Sequence, residues 1–163
     1  MKSCVLLLGF VFSVLTAAAQ ATADTCVFCA IAAGKLPAEI VYRDDTTLAF
    51  MDHAPRNPGH VLVVPIAHSV NVIDTPPETW AHVAKVAQHI ALAIQRTDLK
   101  AEGFNFIANS GLAANQSVFH LHLHVVPRFP GEITIEGPLP RARPADLTAA
   151  ATQIRAALAA ANN

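Results

Sequence analysis

Three histidines alternate with apolar residues in the run His120-Leu121-His122-Leu123-His124. Alternation at period two predicts a strand over 117–126 that carries the three imidazoles on one face. Phe119, Leu121, Leu123 and Val125 would then point the other way, into the core. Alternate side chains on a strand lie about 7 Å apart, whereas a helix would carry His122 away from its neighbours. Such a row suits two chemistries. One is a metal-binding strip. The other is nucleophilic attack on phosphorus. Neutral imidazole is available near pH 7, because its reference pKa is about 6.5. It attacks through one ring nitrogen when an acceptor such as a backbone carbonyl holds the other. Neighbouring imidazoles can donate to phosphate oxygens as charge builds on them.

A second pair of reactive residues is Cys26 and Cys29, spaced as Cys-x-x-Cys. A disulfide, a redox pair and half of a zinc site all accommodate this spacing. His82 and His89 read as helix-face residues and Trp80 as core. Asp52, taken alone, reads as a loop-capping aspartate.

These residues need elements to place them. Residues 26–34 read as a short helix stopped by Gly34. Ile40–Tyr42 and Thr47–Met51 flank the turn signal Asp44-Asp45 and suggest a hairpin. His60–Pro65 is a continuous apolar run, as expected for a buried central strand. Thr75-Pro76-Pro77-Glu78 opens a long helix over 78–96. Residues 104–108 alternate like a strand, and 109–115 form a small-residue loop. An alanine-rich helical tail follows within 144–160. Strands in groups, with helices set apart, predict an α+β fold with an antiparallel sheet.

Composition bounds the reading. The chain has 163 residues, enough for one domain, and its 53% hydrophobic and 14% charged content excludes a disordered chain. A formal net charge of -1 offers no basic surface for a nucleic acid. Met1-Lys2, the uncharged apolar run Cys4–Ala19 and the small-x-small site Ala21-Thr22-Ala23 have the layout of a secretory signal peptide. The run is shorter than the roughly 20 residues of a membrane helix. The expectation is a signal over 1–23, export to a periplasm or exterior, a domain over 24–163 and no stable membrane insertion after cleavage.

The histidine run resembles the signature of the histidine-triad (HIT) family. Cys26-Val27-Phe28-Cys29 to Pro37 resembles the family's N-terminal helix. Phe50-Met51-Asp52, followed by Pro58-Gly59-His60-Val61-Leu62-Val63-Val64-Pro65, resembles its central strands. The likeness covers 26–129. It implies a five-stranded antiparallel sheet with a short N-terminal helix, one long helix and a C-terminal helix, in a homodimer. It also implies hydrolysis or transfer at the α-phosphorus of a purine nucleotide conjugate, through a nucleotidyl-histidine, with release of the nucleoside monophosphate. The alternative is a non-catalytic exported module that binds nucleotide or zinc.

Carried over residue by residue, the resemblance makes His122 the nucleophile and sets His124 and His60 on the phosphate. Ser117 and Gln116 stand beside the leaving group, and Asn109 helps hold the phosphate. Asp52 meets the ribose hydroxyls, and Val27, Phe28, Ile31 and Phe50 form the base slot. His53 stands where the family has an apolar residue beside the base. Asn115 replaces a glycine before Gln116, and asparagine tolerates left-handed backbone better than most residues. Zinc-bearing members imply a ligand set of Cys26, Cys29, His68 and His120, a closed structural site.

Overall fold

The computed structural model describes residues 23–131 and 147–161. The apolar leader, apart from Ala23, lies outside the described residues, as does the start of the predicted tail at 144–146. Helix α1 (Val27–Ala32) leads into strands β1 (Ile40–Arg43), β2 (Thr47–Met51) and β3 (Val61–Pro65). Helix α2 (Pro77–Ile94) precedes β4 (Gly103–Ile107), β5 (Leu123–Arg128) and helix α3 (Leu147–Ala161). All pairings are antiparallel, in the order β1-β2-β3-β5-β4. The α+β antiparallel sheet expected from the sequence is therefore present, with five strands.

Gly34 ends α1 at φ +70°, a backbone conformation that glycine adopts without strain. Pro77 opens α2, where its missing N–H costs nothing. Strands β2 and β3 are buried along their whole length because both faces of the sheet are covered. Ala49, Met51, Val61, Val63, Leu123 and Val125 pack on α2 and α3. Leu48, Phe50, Leu62 and Val64 face the opposite way, onto Phe28 and Ile31 of α1. Ile90 and Ile154, both fully buried, belong to the α2–α3 side of the core. Truncating either to Ala costs about 2–5 kcal/mol.

Helix α3 packs on α2 and alongside β1. Its Arg155 donates to the Ile40 carbonyl at 3.0 Å and to Glu39 at 3.3 Å. At the other edge, among the described residues, β4 pairs only with β5, and Phe106 on it is 48% exposed. A groove of about 640 Å³ between α2 and β4 is lined by Trp80, Lys85 and Phe106.

One element differs from its sequence reading. The strand expected over 117–126 begins only at Leu123. Two features stop the ladder. Pro65 at the end of β3 has no N–H, and its carbonyl accepts from the His120 ring rather than from a backbone amide. Residues 118–120 form a tight turn, with the His120 N–H on the Val118 carbonyl at 2.9 Å. The Leu121 N–H reaches the Ser69 carbonyl at 2.7 Å. Leu121, Leu123 and Val125 enter the core as expected, but Phe119 is only half-buried.

Candidate active site

The three histidine side chains lie on the α1 side of the sheet. The ring centroids of His120 and His122 stand 5.9 Å and 5.3 Å from that of Phe28, and His124 is 5.0 Å from His122. Each ring has a different partner. The His122 Nδ1–H donates to the His120 carbonyl at 2.7 Å, an acceptor-only group, so its Nε2 keeps a lone pair. Burial holds the His122 pKa below the ordinary histidine value, and the imidazole is neutral near pH 7. The His120 Nε2–H donates to the Pro65 carbonyl at 2.9 Å, so its lone pair is on Nδ1. His124 Nδ1 lies 3.0 Å from His60 Nε2. Burial pushes His60 down to about 4 and His124 down to about 3.

His122 and His124 line a cleft of about 430 Å³ whose wall is mostly apolar. Val27, Phe28, Ile31 and Phe50 form one side, and Asp52, His53 and Ser117 lie at the polar end. Asp52 Oδ1 accepts the Ala54 N–H at 2.8 Å, so it does cap its loop. Its Oδ2 stands 3.4 Å from His60 Nδ1 and 4.0 Å from His124 Nδ1. One carboxylate thus holds the loop and faces the histidines. His53 is 98% exposed at the rim.

Gln116 and Asn109 are placed differently from the other expected residues. Gln116 is buried, and its side chain is spent on the loop. It accepts the Gly111 N–H at 2.7 Å and donates to the carbonyls of Val70 at 2.6 Å and Val118 at 3.1 Å. Asn109 Nδ2 lies 3.5 Å from the Asn115 carbonyl. Both side chains brace the loop from which Ser117 reaches the cleft. Asn115 adopts φ 61° and ψ 30°, so the asparagine takes the left-handed turn that a glycine would take.

A second cluster adjoins the first. Cys26 Sγ lies 3.3 Å and Cys29 Sγ 3.4 Å from His120 Nδ1, and Cys29 Sγ lies 3.3 Å from His68 Nδ1. The cysteines are not bonded to each other. All four donor atoms lie within 4.8 Å of one another. In a tetrahedral zinc site, sulfur and nitrogen ligands sit about 3.6 Å apart, given bonds of about 2.3 Å and 2.0–2.1 Å. The lone pair of His120 Nδ1 faces the sulfurs, as a ligand's must. Burial and the neighbouring Cys26 push the Cys29 thiol up to about 11, so a thiolate there needs a compensating cation. The donor set fits a closed metal site.

Leu36, Glu39, Leu62, Val118 and Leu147, which the sequence does not mark as cleft residues, also line it. Leu62 could have been found, because it pairs with Phe50 in the hairpin register and so shares its face. Leu147 comes from α3, and nothing local marks it.

A family model described as the HIT domain matches residues 33–131. An uncharacterized HIT-like protein of Mycobacterium tuberculosis is 48% identical over 102 residues, covering 63% of this chain and 70% of that one. A Zn-bound histidine triad family protein from Mycobacterium smegmatis superposes with a TM-score of 0.79 at 44% identity, over 86% of this chain and 98% of that one. A HIT family hydrolase from Clostridium thermocellum gives a TM-score of 0.61 at 34% identity, over 71% and 100% of the two chains.

Proposed function

This chain belongs to the histidine-triad (HIT) family, and on that premise we propose that it is a nucleotide hydrolase or transferase working through a nucleotidyl-His122 intermediate. The substrate is a purine nucleotide conjugate, a phosphoramidate or dinucleoside polyphosphate. The observation that carries this reading is the bond from His122 Nδ1–H to the His120 carbonyl, which leaves Nε2 unprotonated on a ring that lines the cleft.

His122 Nε2 attacks the α-phosphorus, and the bond to the amine or phosphate leaving group breaks. The leaving group departs with its electron pair and takes up a proton. The imidazole becomes cationic, and its Nδ1–H bond to the carbonyl strengthens as it does so. Water then attacks phosphorus, and the P–Nε2 bond breaks with its electron pair returning to Nε2. The water's proton passes to solvent and balances the one the leaving group took from it, and the nucleoside monophosphate is released. Asp52 receives the ribose hydroxyls, and the apolar wall of Phe28, Ile31 and Phe50 receives the base.

Cys26, Cys29, His68 and His120 would hold a zinc ion that ties α1 to the catalytic segment and fixes the His120 ring. The ion plays a structural part. A second copy would pair along β4 and fill the groove beside α2. The outer edge of β4, unpaired among the described residues, and the exposed Phe106 support this, and sedimentation of the wild type and Phe106→Arg tests it. Residues 1–23 would direct export, which N-terminal sequencing of the secreted protein checks.

The deciding experiment mixes the protein with adenosine phosphoramidate and follows it by mass spectrometry. An adenylyl adduct on His122 with release of AMP is the expected result. Stoichiometric zinc with neither adduct nor AMP would overturn catalysis and leave a non-catalytic binding module.

A further inference from the structure

We infer that Asn57 is a positioning residue: its buried carboxamide fixes the loop amide of Arg56 on His60 and so determines which nitrogen of His124 carries the proton. The consequence for turnover rests on the hydrolase reading above; the proton positions do not.

The bonds run in one direction. Asn57, 3% exposed, donates from Nδ2 to the Pro127 carbonyl of β5 at 2.8 Å, and its own carbonyl accepts the His60 N–H at 3.1 Å. The loop is thereby pinned to the strand that carries His124. On the pinned loop, the Arg56 N–H points at His60 Nδ1 at 3.1 Å. A backbone amide only donates, so Nδ1 must be the unprotonated nitrogen. A neutral imidazole then carries its proton on Nε2, which donates to His124 Nδ1 at 3.0 Å. His124 must therefore hold its own proton on Nε2. Burial keeps both rings neutral near pH 7.

The loop acts against a local pull. The Asp52 carboxylate stands 3.4 Å from His60 Nδ1 and 4.0 Å from His124 Nδ1, where it favours a proton on each of those nitrogens. Without the Arg56 amide, His60 would protonate Nδ1, and the relay would reverse. His124 would then present a lone pair to the cleft instead of an N–H. A lone pair repels phosphate oxygens, whereas an N–H donates to them as charge builds. Asp52, His60 and His124 also have their donor atoms together. The amide already occupies the His60 Nδ1 lone pair, which makes the trio a proton relay rather than a ligand set.

Long-range proton–nitrogen spectra of the purified full chain, labelled with nitrogen-15 in histidine, test this directly. In the wild type at pH 7, His60 and His124 should each show a protonated Nε2 and an unprotonated Nδ1. A His60 protonated on Nδ1 overturns the proposal. In Asn57→Ala the two rings should lose that pattern. The kcat on adenosine phosphoramidate should fall about 100-fold, as when one donor to developing charge is lost, with KM within about threefold. Asn57→Asp keeps the shape but removes the N–H, so it should behave like Asn57→Ala. It also decides the matter should the alanine variant fail to fold. Unaltered tautomers and kcat in either folded variant overturn the proposal. A wild type that turns over no substrate sinks the hydrolase reading while leaving the spectra to decide the proton positions.

Discussion

His120 and His122 are two residues apart, both buried, and each gives one ring N–H to a backbone carbonyl. They use opposite nitrogens. His120 spends Nε2 on Pro65 and turns Nδ1 to the sulfurs. His122 spends Nδ1 on the carbonyl of His120 itself and keeps Nε2 for the cleft. In the proposed function, identical side chains on one face thus supply a metal ligand and a nucleophile, and the carbonyl each ring meets makes the difference. The two sites are also joined: His120, a member of the four-donor cluster, provides the carbonyl that orients the His122 ring.

Exchanging the losses is the largest test. His122→Ala should lower turnover by roughly three orders of magnitude or more while zinc content and folding persist. His120→Ala should lose zinc and keep residual turnover, because its carbonyl remains. Equal loss of turnover in both would erase the distinction. Next in size, a strong chelator, or Cys26→Ser, should lower activity about 10- to 100-fold through misplacement of the His120 segment. Metal analysis and kcat, measured on the same samples, check this.

Acid should act on the reactive side through stability. His60 is held down to about 4 and His124 to about 3 by burial. Below the ordinary histidine value of about 6.5, the unfolded chain takes up protons that the folded chain refuses. Stability is therefore complete above that pH and is lost as pH falls towards 4 and then 3, which a series of melting temperatures will show. A flat profile would mean that these rings are not kept neutral by the fold. The smallest effect belongs to a histidine outside both pockets. His82 reaches Asp44 at 2.8 Å but is 39% exposed. His82→Ala should change stability by no more than about 0.5 kcal/mol and leave turnover unaltered. A larger change would show that the α2 face couples to the cleft.

Most of the fold was legible because local pattern and tertiary demand agree. Strand β2 matches its apolar run end to end, and Pro77 marks the start of α2 as its ring geometry requires. The histidine run misled in one respect. Its alternation continues past the point where Pro65 ends the ladder, and a side-chain bond from His120 replaces the backbone pairing. Periodicity reports which way side chains face, and that survived; it carries no account of where amides find acceptors. The four-donor cluster could not be chosen from Cys-x-x-Cys spacing, since its other two donors lie some 40 and 90 residues onward in the chain. Asn57 had no signal at all. Its importance lies in a carboxamide meeting a carbonyl 70 residues away.

The clasp of Arg155 on the Ile40 carbonyl has a bearing on assembly. With α3 lying against β1, Arg155 occupies the Ile40 carbonyl of that margin, while among the described residues no strand pairs with the outer edge of β4. A sheet with one sealed margin can be extended only once. In the proposed pairing along β4, two copies would present their α3-covered margins at both ends, and growth would terminate at a pair. In that proposed pair the C-terminal helix would work as a stop against polymerisation, and releasing it would turn a self-limiting contact into a propagating one.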